Sequence, residues 1–239
     1  MSRFQKLAAI LRTPFYRKVL FSHRVAAAVE HDTLLRVVGL ELRTVVDIGA
    51  NRGQFALAAR HCSPSARIIA FEPLEEPAEV FCKVFQDDAF VELHRCAIGP
   101  REGEALMHVS RADDSSSLLP ISGLQHQLFP GSEERETRPV TVTPLDAALF
   151  AAQISAPALL KIDVQGYELE VLKGCVSLLH CFDYLLAECS YMELYTGQAL
   201  ADEVITFLDK AGFALAERSN LTRDGRGNPV QADFFFRRK

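Results

Sequence analysis

From residue 44 onward, short apolar runs alternate with segments of helical periodicity, and this alternation is the feature that most restricts the fold. The apolar runs predict five strands, at residues 44–48, 67–71, 91–98, 158–162 and 184–188. The intervening patterns predict helices at residues 53–62, 75–86 and 168–179, and a further helix follows near 200–211. Strands that alternate with helices form right-handed crossovers and a mostly parallel sheet.

The end of the chain departs from this alternation. Two further strands, at 213–216 and 233–237, flank a turn-rich stretch that contains Asp224-Gly225, and no helix separates them. Strands joined without a helix are antiparallel, because a parallel connection needs a crossover. The sequence therefore predicts an α/β fold with a Rossmann-like sheet of seven strands, mostly parallel, with an antiparallel terminal hairpin strand and helices on both faces.

Composition places the chain among soluble globular proteins. Its 239 residues are 49% hydrophobic and 24% charged, which is enough to form one α/β core. The six cysteines form no CxxC pair, so we expect reduced core thiols and a cytoplasmic protein. The net charge of −5 argues against a nucleic-acid partner, since phosphate binding needs a basic face.

The N-terminal segment has a different charge. Residues 1–29 contain six Lys or Arg side chains and no acid, and Leu7, Ile10 and Leu11 lie at helical spacing. We expect an N-terminal helical cap at 1–42 ahead of the main domain at 43–239. The cap either packs beside the core or makes a peripheral contact with an anionic membrane. The cations interrupt every apolar run, so neither a signal peptide nor a transmembrane helix is predicted.

The first predicted strand runs into a turn that contains two glycines, Gly49 and Gly53. This four-residue spacing differs from the GxGxxG of dinucleotide-binding proteins, whose glycines help to seat a pyrophosphate. Asp47 precedes the first glycine, where its charge would repel a phosphate and attract an ammonium group. S-adenosylmethionine has an ammonium group and no phosphate, so it is the cofactor that we predict for this turn.

Acids also follow two later strands. Glu72 ends the second strand, where a carboxylate can accept both hydroxyls of a ribose. Asp163 ends the fourth strand, two residues after a charged Lys161 in an otherwise apolar run. Ligands of open α/β sheets bind beyond the carboxyl ends of the strands, so we expect Asp163 to face the cofactor, although capping of the next helix is the alternative.

At these segments the sequence resembles the FkbM family of S-adenosylmethionine-dependent methyltransferases. The resemblance covers about residues 44–215. It is carried by Asp47-Ile48-Gly49-Ala50-Asn51-x-Gly53, Phe71-Glu72-Pro73, Cys96-Ala97-Ile98-Gly99, Leu145-Asp146, Lys161-Ile162-Asp163-Val164-x-Gly166-x-Glu168 and Leu172-Lys173-Gly174. Where the family usually has Glu, this chain has Gln165, so a base at that position is excluded here.

The resemblance implies a Rossmann-like methyltransferase sheet and a methyltransferase that acts on a hydroxyl of a small metabolite, sugar or lipid-linked acceptor. The cofactor site that we predict comprises Asp47, Gly49, Asn51, Gly53, Phe55, Glu72, Ala97, Ile98 and Asp163. Two alternatives remain at this point: a non-catalytic binding protein of methyltransferase fold, and a nucleotide-cofactor oxidoreductase. Whether the chain forms a homo-oligomer also stays open.

Transfer to an alcohol needs a base within hydrogen-bond reach of the acceptor. Asp163 and Glu188 end neighbouring strands and are the catalytic candidates, while His126 is a weaker one. No metal site is predicted, although the same two carboxylates are the alternative ligands for a divalent cation. Residues 112–139 are weakly patterned and predict an inserted loop that covers the acceptor, although a mobile surface loop that packs beside the sheet is the alternative.

Overall fold

The computed structural model describes residues 1–39, 42–112 and 114–239. Nine α-helices are present in this part of the chain: α1 (Arg3–Arg12), α2 (Pro14–His23), α3 (Asp32–Gly39), α4 (Gln54–Cys62), α5 (Glu75–Val84), α6 (Gly123–Leu128), α7 (Leu145–Ala148), α8 (Glu168–Gly174) and α9 (Ala201–Lys210). The strands are β1 (Thr44–Ile48), β2 (Arg67–Phe71), β3 (Val91–His94), β4 (Ala97–Ile98), β5 (Gly103–Ser110), β6 (Glu134–Thr143), β7 (Ala158–Ile162), β8 (Tyr184–Ser190), β9 (Phe213–Arg223) and β10 (Pro229–Arg238).

Seven strands form the main sheet in the order β3-β2-β1-β7-β8-β10-β9. The first five of these strands run parallel, and β10 runs antiparallel to both β8 and β9. The predicted fold class is therefore confirmed. The last two strands are longer than predicted, and they meet in a five-residue turn in which the Asp224 carboxylate accepts two backbone N–H groups.

Alternate residues of the central strands face two separate cores. Val46 and Ile48 of β1 pack in one apolar cluster with α8 and α9, and Val45 packs in the other with α4. All five residues of β1 and of β7 are buried, as expected for parallel strands covered on both faces. All six cysteines are free.

A second sheet of three strands, ordered β4-β6-β5, lies beside the main one. The prediction of one continuous strand at 91–98 is wrong, because this segment divides into β3 in the main sheet and β4 in the second sheet. The stretch at 112–139 also differs from a plain loop. It contains α6, and its last six residues belong to β6, while residue 113 lies outside the described part.

The N-terminal helices pack against the α4 side of the sheet, where Ile10, Tyr16 and Val19 join the second core cluster. The predicted boundary between the cap and the main domain adjoins residues 40 and 41, which lie outside the described residues. Among the helices that the structure describes, none is long and apolar enough to cross a membrane.

Candidate active site

A cavity of about 500 Å³ opens at the carboxyl ends of β1, β2 and β7. Within the sheet, β2 lies next to β1 on one edge and β7 lies next to it on the other. The strand order therefore reverses at β1. Open α/β sheets bind their ligands at such a reversal. The polar residues that these strand ends and the β5–β6 connection contribute to the lining are Asn51, Gln54, Glu72, Asp114, Ser116, Lys161, Asp163 and Gln165.

Glu72 holds two loops of the cavity together. One oxygen of its carboxylate accepts the backbone N–H of Asn51 at 2.9 Å, and the other accepts that of Leu74 at 2.8 Å. Each carboxylate oxygen has a second lone pair, so Glu72 can accept two more hydrogen bonds from a ligand. Burial is the main reason that the pKa of Glu72 rises to about 7, against the lowering effect of both N–H groups.

Gly49 makes the turn after β1 possible. Its backbone has a φ of +78°, and a Cβ there would lie 1.9 Å from the carbonyl oxygen of Asp163. The two loops thus touch through backbone atoms, and only glycine allows this approach. Asn51 continues the turn with a φ of +48° and borders the cavity, as do Phe55, Ala97 and Ile98.

Gly53 packs against aromatic side chains, whereas the sequence predicts that this glycine lets a ligand approach closely. Its φ is +92°, and an added Cβ would lie 2.7 Å from the ring of Phe85 and 3.1 Å from that of Phe81. The glycine therefore lets the start of α4 approach two aromatic rings at α5. It is absent from the cavity lining among the described residues.

Asp47 lies beneath the cavity rather than in its wall. It is fully buried, and its Oδ1 atom lies 2.9 Å from Nζ of Lys161, its cross-strand neighbour on β7. Nζ also donates to the carbonyl of Gly49 at 2.8 Å. Burial lowers the pKa of Lys161, but attraction to Asp47 and Asp163 outweighs this effect and the net shift is upward. The pair thus braces the glycine turn from below.

Gln165 joins the two predicted catalytic carboxylates. Its Nε2 atom donates to Asp163 Oδ1 at 2.8 Å and to Glu188 Oε2 at 3.0 Å, and its Oε1 atom accepts the hydroxyl of Tyr195 at 2.8 Å. Asp163 borders the cavity with its side chain 40% exposed. Glu188 lies behind Gln165 and does not border the cavity among the described residues.

Glu188 has an unusual electrostatic environment. Burial, followed by the neighbouring charges of Asp163, Asp233 and Glu168, raises its pKa well above the ordinary value. Its second oxygen accepts from the side-chain amide of Gln231 at 2.9 Å. Both oxygens are therefore held by amide donors, which fixes the carboxyl group in place.

Glu168 orders the loop after β7. Its Oε1 atom accepts the backbone N–H groups of Gly166 at 3.0 Å and Val164 at 3.3 Å. Burial is the main cause that raises its pKa to about 7. Gly166 packs against Tyr195, since an added Cβ would lie 3.0 Å from that side chain. The sequence motif contains Glu168 and Gly166, but only the structure assigns them this supporting role.

Tyr195 and His31 border or support the site and were not predicted from the sequence. Tyr195 is buried, and the hydroxyl oxygen that contacts Gln165 also lies 3.1 Å from the carbonyl oxygen of Ser115, so the two acceptors compete for its single proton. His31 borders the cavity and meets Phe55 edge-on, with the two ring centroids 5.4 Å apart. Neither residue lies in a recognisable motif, and both reach the site through contacts that are distant in sequence.

The connection between β5 and β6 contributes part of the wall. Asp114, Ser116 and Leu118 border the cavity, as does Met107 of β5. Residues 120–122 are bound to 194–196 by backbone hydrogen bonds, so this part of the connection is docked on the body of the protein. His126 lies elsewhere: its side chain is 49% exposed and pairs with Glu133.

Helix α1 closes another side of the cavity. Arg3, Lys6, Leu7 and Ile10 are among the lining residues. Lys6 is fixed by an ion pair with Glu30 at 2.6 Å. The N-terminal helices therefore form part of the site.

The donor set does not fit a cation between Asp163 and Glu188. The NH₂ group of Gln165 lies between the two carboxylates and donates to both, where a cation would have to bind. In the described ranges, no group of three or more His, Cys, Asp or Glu side chains is arranged to hold a metal ion.

Comparisons with known proteins identify the family of this chain. The model of the methyltransferase FkbM domain matches residues 47–215, which is more than half of the chain. A protein of Beauveria bassiana named Methyltransferase 1 is 25% identical over 184 residues, covering 72% of each chain. The 2-O-methyltransferase NoeI of Sinorhizobium fredii is 29% identical over 166 residues, covering 64% of this chain and 66% of NoeI.

Solved structures support the fold. The methyltransferase FkbM of Methylobacillus flagellatus matches 99% of this chain with a TM-score of 0.53 at 16% identity, and this chain spans 55% of that protein. TehB of Haemophilus influenzae matches 92% of this chain with a TM-score of 0.51 at 9% identity. The family match confirms the predicted cofactor and enzyme class, and disfavours the oxidoreductase alternative: the chain belongs to the FkbM family of S-adenosylmethionine-dependent methyltransferases.

Proposed function

We propose that this chain methylates a hydroxyl oxygen of a small acceptor, such as a metabolite, a sugar or a lipid-linked compound. The observation that carries the proposal is the position of Asp163. Its carboxylate borders the cavity and is oriented by Gln165 through Oδ1. Among the described residues no hydrogen-bond donor to Oδ2 is found, and Lys161 Nζ lies 4.0 Å from this oxygen. NoeI, a relative at 29% identity, is a 2-O-methyltransferase.

The residues of the cavity fit the cofactor. Glu72 has the spare lone pairs to accept both ribose hydroxyls, and Asn51 lies beside it. Apolar side chains of Ala97, Ile98 and Leu74 offer a surface for the adenine ring. The volume of about 500 Å³ falls within the range of about 300–1,000 Å³ that is usual for such ligands.

Asp47 is not part of this fit. The sequence suggests that it attracts the ammonium group of the cofactor, yet its carboxylate is fully buried and bound to Lys161. We propose instead that Asp47 acts on the cofactor loop through Lys161, which holds the carbonyl of Gly49.

When bound, S-adenosylmethionine supplies a methyl group that is activated by the adjacent sulfonium charge. The protein has to align the acceptor oxygen, exclude water and accept the proton that the hydroxyl loses. Asp163 is the group that accepts this proton at Oδ2. Gln165 fixes the rotation of the Asp163 carboxylate by its hydrogen bond to Oδ1.

Glu188 serves as a positioning residue in this mechanism. It holds Nε2 of Gln165 from the side opposite Asp163, while Tyr195 holds Oε1. Because the pKa of Glu188 is raised well above its ordinary value, it retains its proton to higher pH than an exposed glutamate and adds less repulsion to Asp163.

Transfer of tritium from methyl-labelled cofactor to a panel of sugars, polyols, lipid-linked glycans and amines tests the proposal. Asp163→Asn should lower turnover by about 10²–10⁴-fold, with cofactor affinity nearly unchanged. The exposed Asp202 on α9 provides the control, and Asp202→Asn should retain full activity. A product methylated on nitrogen, or full turnover by Asp163→Asn, would contradict the proposal.

A further inference from the structure

The first two helices expose several large apolar side chains. Phe4, Leu7 and Leu11 follow one another at helical spacing on α1 and are 87%, 48% and 38% exposed. Phe21 on α2 is 73% exposed. We call these four side chains, with the cations around them, the α1–α2 surface. An exposed apolar cluster of this kind marks a site of interaction.

The same two helices and the residue that ends the second contain five cations besides Lys6: Arg3, Arg12, Arg17, Lys18 and Arg24. Residues 1–29 contain no acid, although the whole chain has a net charge of −5. Lys6 is the sixth cation of this segment, and it is paired with Glu30 inside the cavity wall. The α1–α2 surface is therefore both apolar and cationic.

Helix α1 is locally stabilised by its own N-terminal residues. Ser2 accepts the backbone N–H of Gln5, and the Gln5 side chain accepts the backbone N–H of Ser2, which forms a reciprocal cap. Ile10, on the face of the helix next to the exposed apolar side chains, is buried in the second core cluster. The apolar stripe is thus presented on a fixed helix, and binding needs no folding step.

We propose that the α1–α2 surface docks the protein on an anionic lipid bilayer. Amphipathic helices with cations beside apolar side chains bind at the headgroup level, where the apolar residues enter the interface and the cations attract anionic lipids. Leu7 and Arg3 also line the cavity, so docking brings the cavity mouth to the lipid surface. Docking itself goes beyond the proposed methyl transfer and can be measured without it.

Charge favours a bilayer over a second copy of this chain. A two-fold dimer places the same patch of each subunit against its partner. Five cations of one copy would then face five of the other, and like charges brought together disfavour association. An anionic bilayer instead offers opposite charge and an apolar interior to the same surface.

Vesicle co-sedimentation tests this proposal with the full chain. Vesicles of phosphatidylcholine mixed with phosphatidylglycerol should carry the protein down, and vesicles of phosphatidylcholine alone should carry down much less. Binding should fall when ionic strength rises from about 0.1 M to about 1 M, because the Debye length shortens from about 10 Å to about 3 Å. Equal binding to both kinds of vesicle, or none to either, would overturn the proposal.

Matched variants identify the surface. Phe4→Ser with Phe21→Ser should weaken binding at least tenfold, whereas Phe90→Ser with Phe150→Ser should not, although Phe90 and Phe150 are 62% and 76% exposed. Arg12→Ala with Lys18→Ala should weaken binding about fivefold for each cation removed. The exposed pair Arg101→Ala with Lys210→Ala is the charge control.

Two further measurements separate docking from folding and from self-association. Thermal unfolding of Phe4→Ser with Phe21→Ser should match the unaltered chain, since both side chains are exposed. Light scattering should give the same molar mass for the unaltered chain and for the variant that carries Phe4→Ser and Phe21→Ser. A dimer that is lost in this variant would assign the surface to a protein interface and overturn the membrane proposal, as would a loss of vesicle binding by the control variants.

Discussion

Nζ of Lys161 lies 2.9 Å from Oδ1 of Asp47, at a point where the two residues are paired neighbours on adjacent parallel strands. Both side chains are almost completely shielded from water, with 7% and 0% exposed. A buried ion pair of this kind is costly to break, because removal of one partner leaves the other charge without compensation. This relationship leads to the first prediction.

Lys161→Met should lower the free energy of unfolding by about 3–5 kcal/mol, and Asp47→Asn should have a similar effect. The double variant should be destabilised by less than the sum of the two, because no uncompensated charge remains. Denaturant titration measures all three. The exposed pair Lys239 and Asp209 is the control, since its removal should cost no more than about 1 kcal/mol. Additive effects of Lys161→Met and Asp47→Asn would contradict the coupling.

Gly49→Ala should destabilise the protein more than its positive φ alone explains. At Gly131, where φ is +97° and nothing lies within 4 Å of an added Cβ, alanine should cost about 1–2 kcal/mol. At Gly49 the added carbon would lie 1.9 Å from the carbonyl oxygen of Asp163, and the loop would have to move. We expect at least about 2 kcal/mol more than at Gly131. Equal costs at the two sites would show that the loops are free to separate.

Cofactor affinity should depend on pH through Glu72. Ribose hydroxyls donate to an ionised carboxylate, and the pKa of Glu72 is about 7 in the ligand-free protein. Affinity should therefore be constant above this pKa and fall about tenfold per pH unit below it. Calorimetric titration with S-adenosylmethionine at a series of pH values from about 5 to about 9, a range that spans this pKa, measures the pH dependence of the affinity.

Glu72→Gln provides the control for that titration. It keeps the acceptor oxygen but cannot ionise, so affinity should be weaker by about 1.5–3 kcal/mol at high pH and independent of pH. Glu168 also has a pKa of about 7, so stability alone would not separate the two groups and binding is the informative measurement. A pH slope that persists in Glu72→Gln would assign the titration to another residue.

Gln165→Glu should reduce turnover and change its pH dependence. The variant loses the donor to Asp163 and Glu188 and puts a third carboxylate within 3.0 Å of both. Like charges at this distance raise the pKa of neighbouring carboxyl groups, so the acidic limb of the pH–rate profile should move to higher pH. Gln165→Met removes the donor without adding charge, so it should lower turnover and leave that limb in place. Identical profiles for the two variants would contradict an electrostatic role.

The sequence was sufficient to predict the main sheet and the glycine turn that follows β1. Buried parallel strands such as β1 and β7 are mostly apolar runs, and the glycine turn with Asp47 is local in sequence. The strands and the turn can therefore be recognised from the sequence alone. Membership of β4 in a second sheet depends on its pairing with β6, more than thirty residues later. The sequence pattern within residues 91–98 does not indicate that β4 pairs with β6.

The candidate site was predicted in part for the same reason. Glu72 and Asp163 end strands, and the structure brings both to one cavity, although their roles stay predictions. The buried pairing of Asp47 could not be inferred from its motif alone, because the partner lies on a strand about 110 residues away. The contact of Tyr195 with Gln165 and the contribution of α1 to the cavity wall likewise arise only from tertiary packing.

The connection between β5 and β6 has a consequence for engineering. Its two ends are held side by side, since Ser110 pairs with Glu134 and the N–H of Arg111 donates to the carbonyl of Glu133 at 3.0 Å. The ladder that fixes these ends continues for the length of β5, and Ser117 of the connection also pairs with His108 of that strand. A segment grafted between these two anchor positions would replace the cavity wall at Asp114, Ser116 and Leu118 and the contacts of residues 120–122 with 194–196. Each graft would therefore have to be assayed for cofactor affinity as well as for the choice of acceptor.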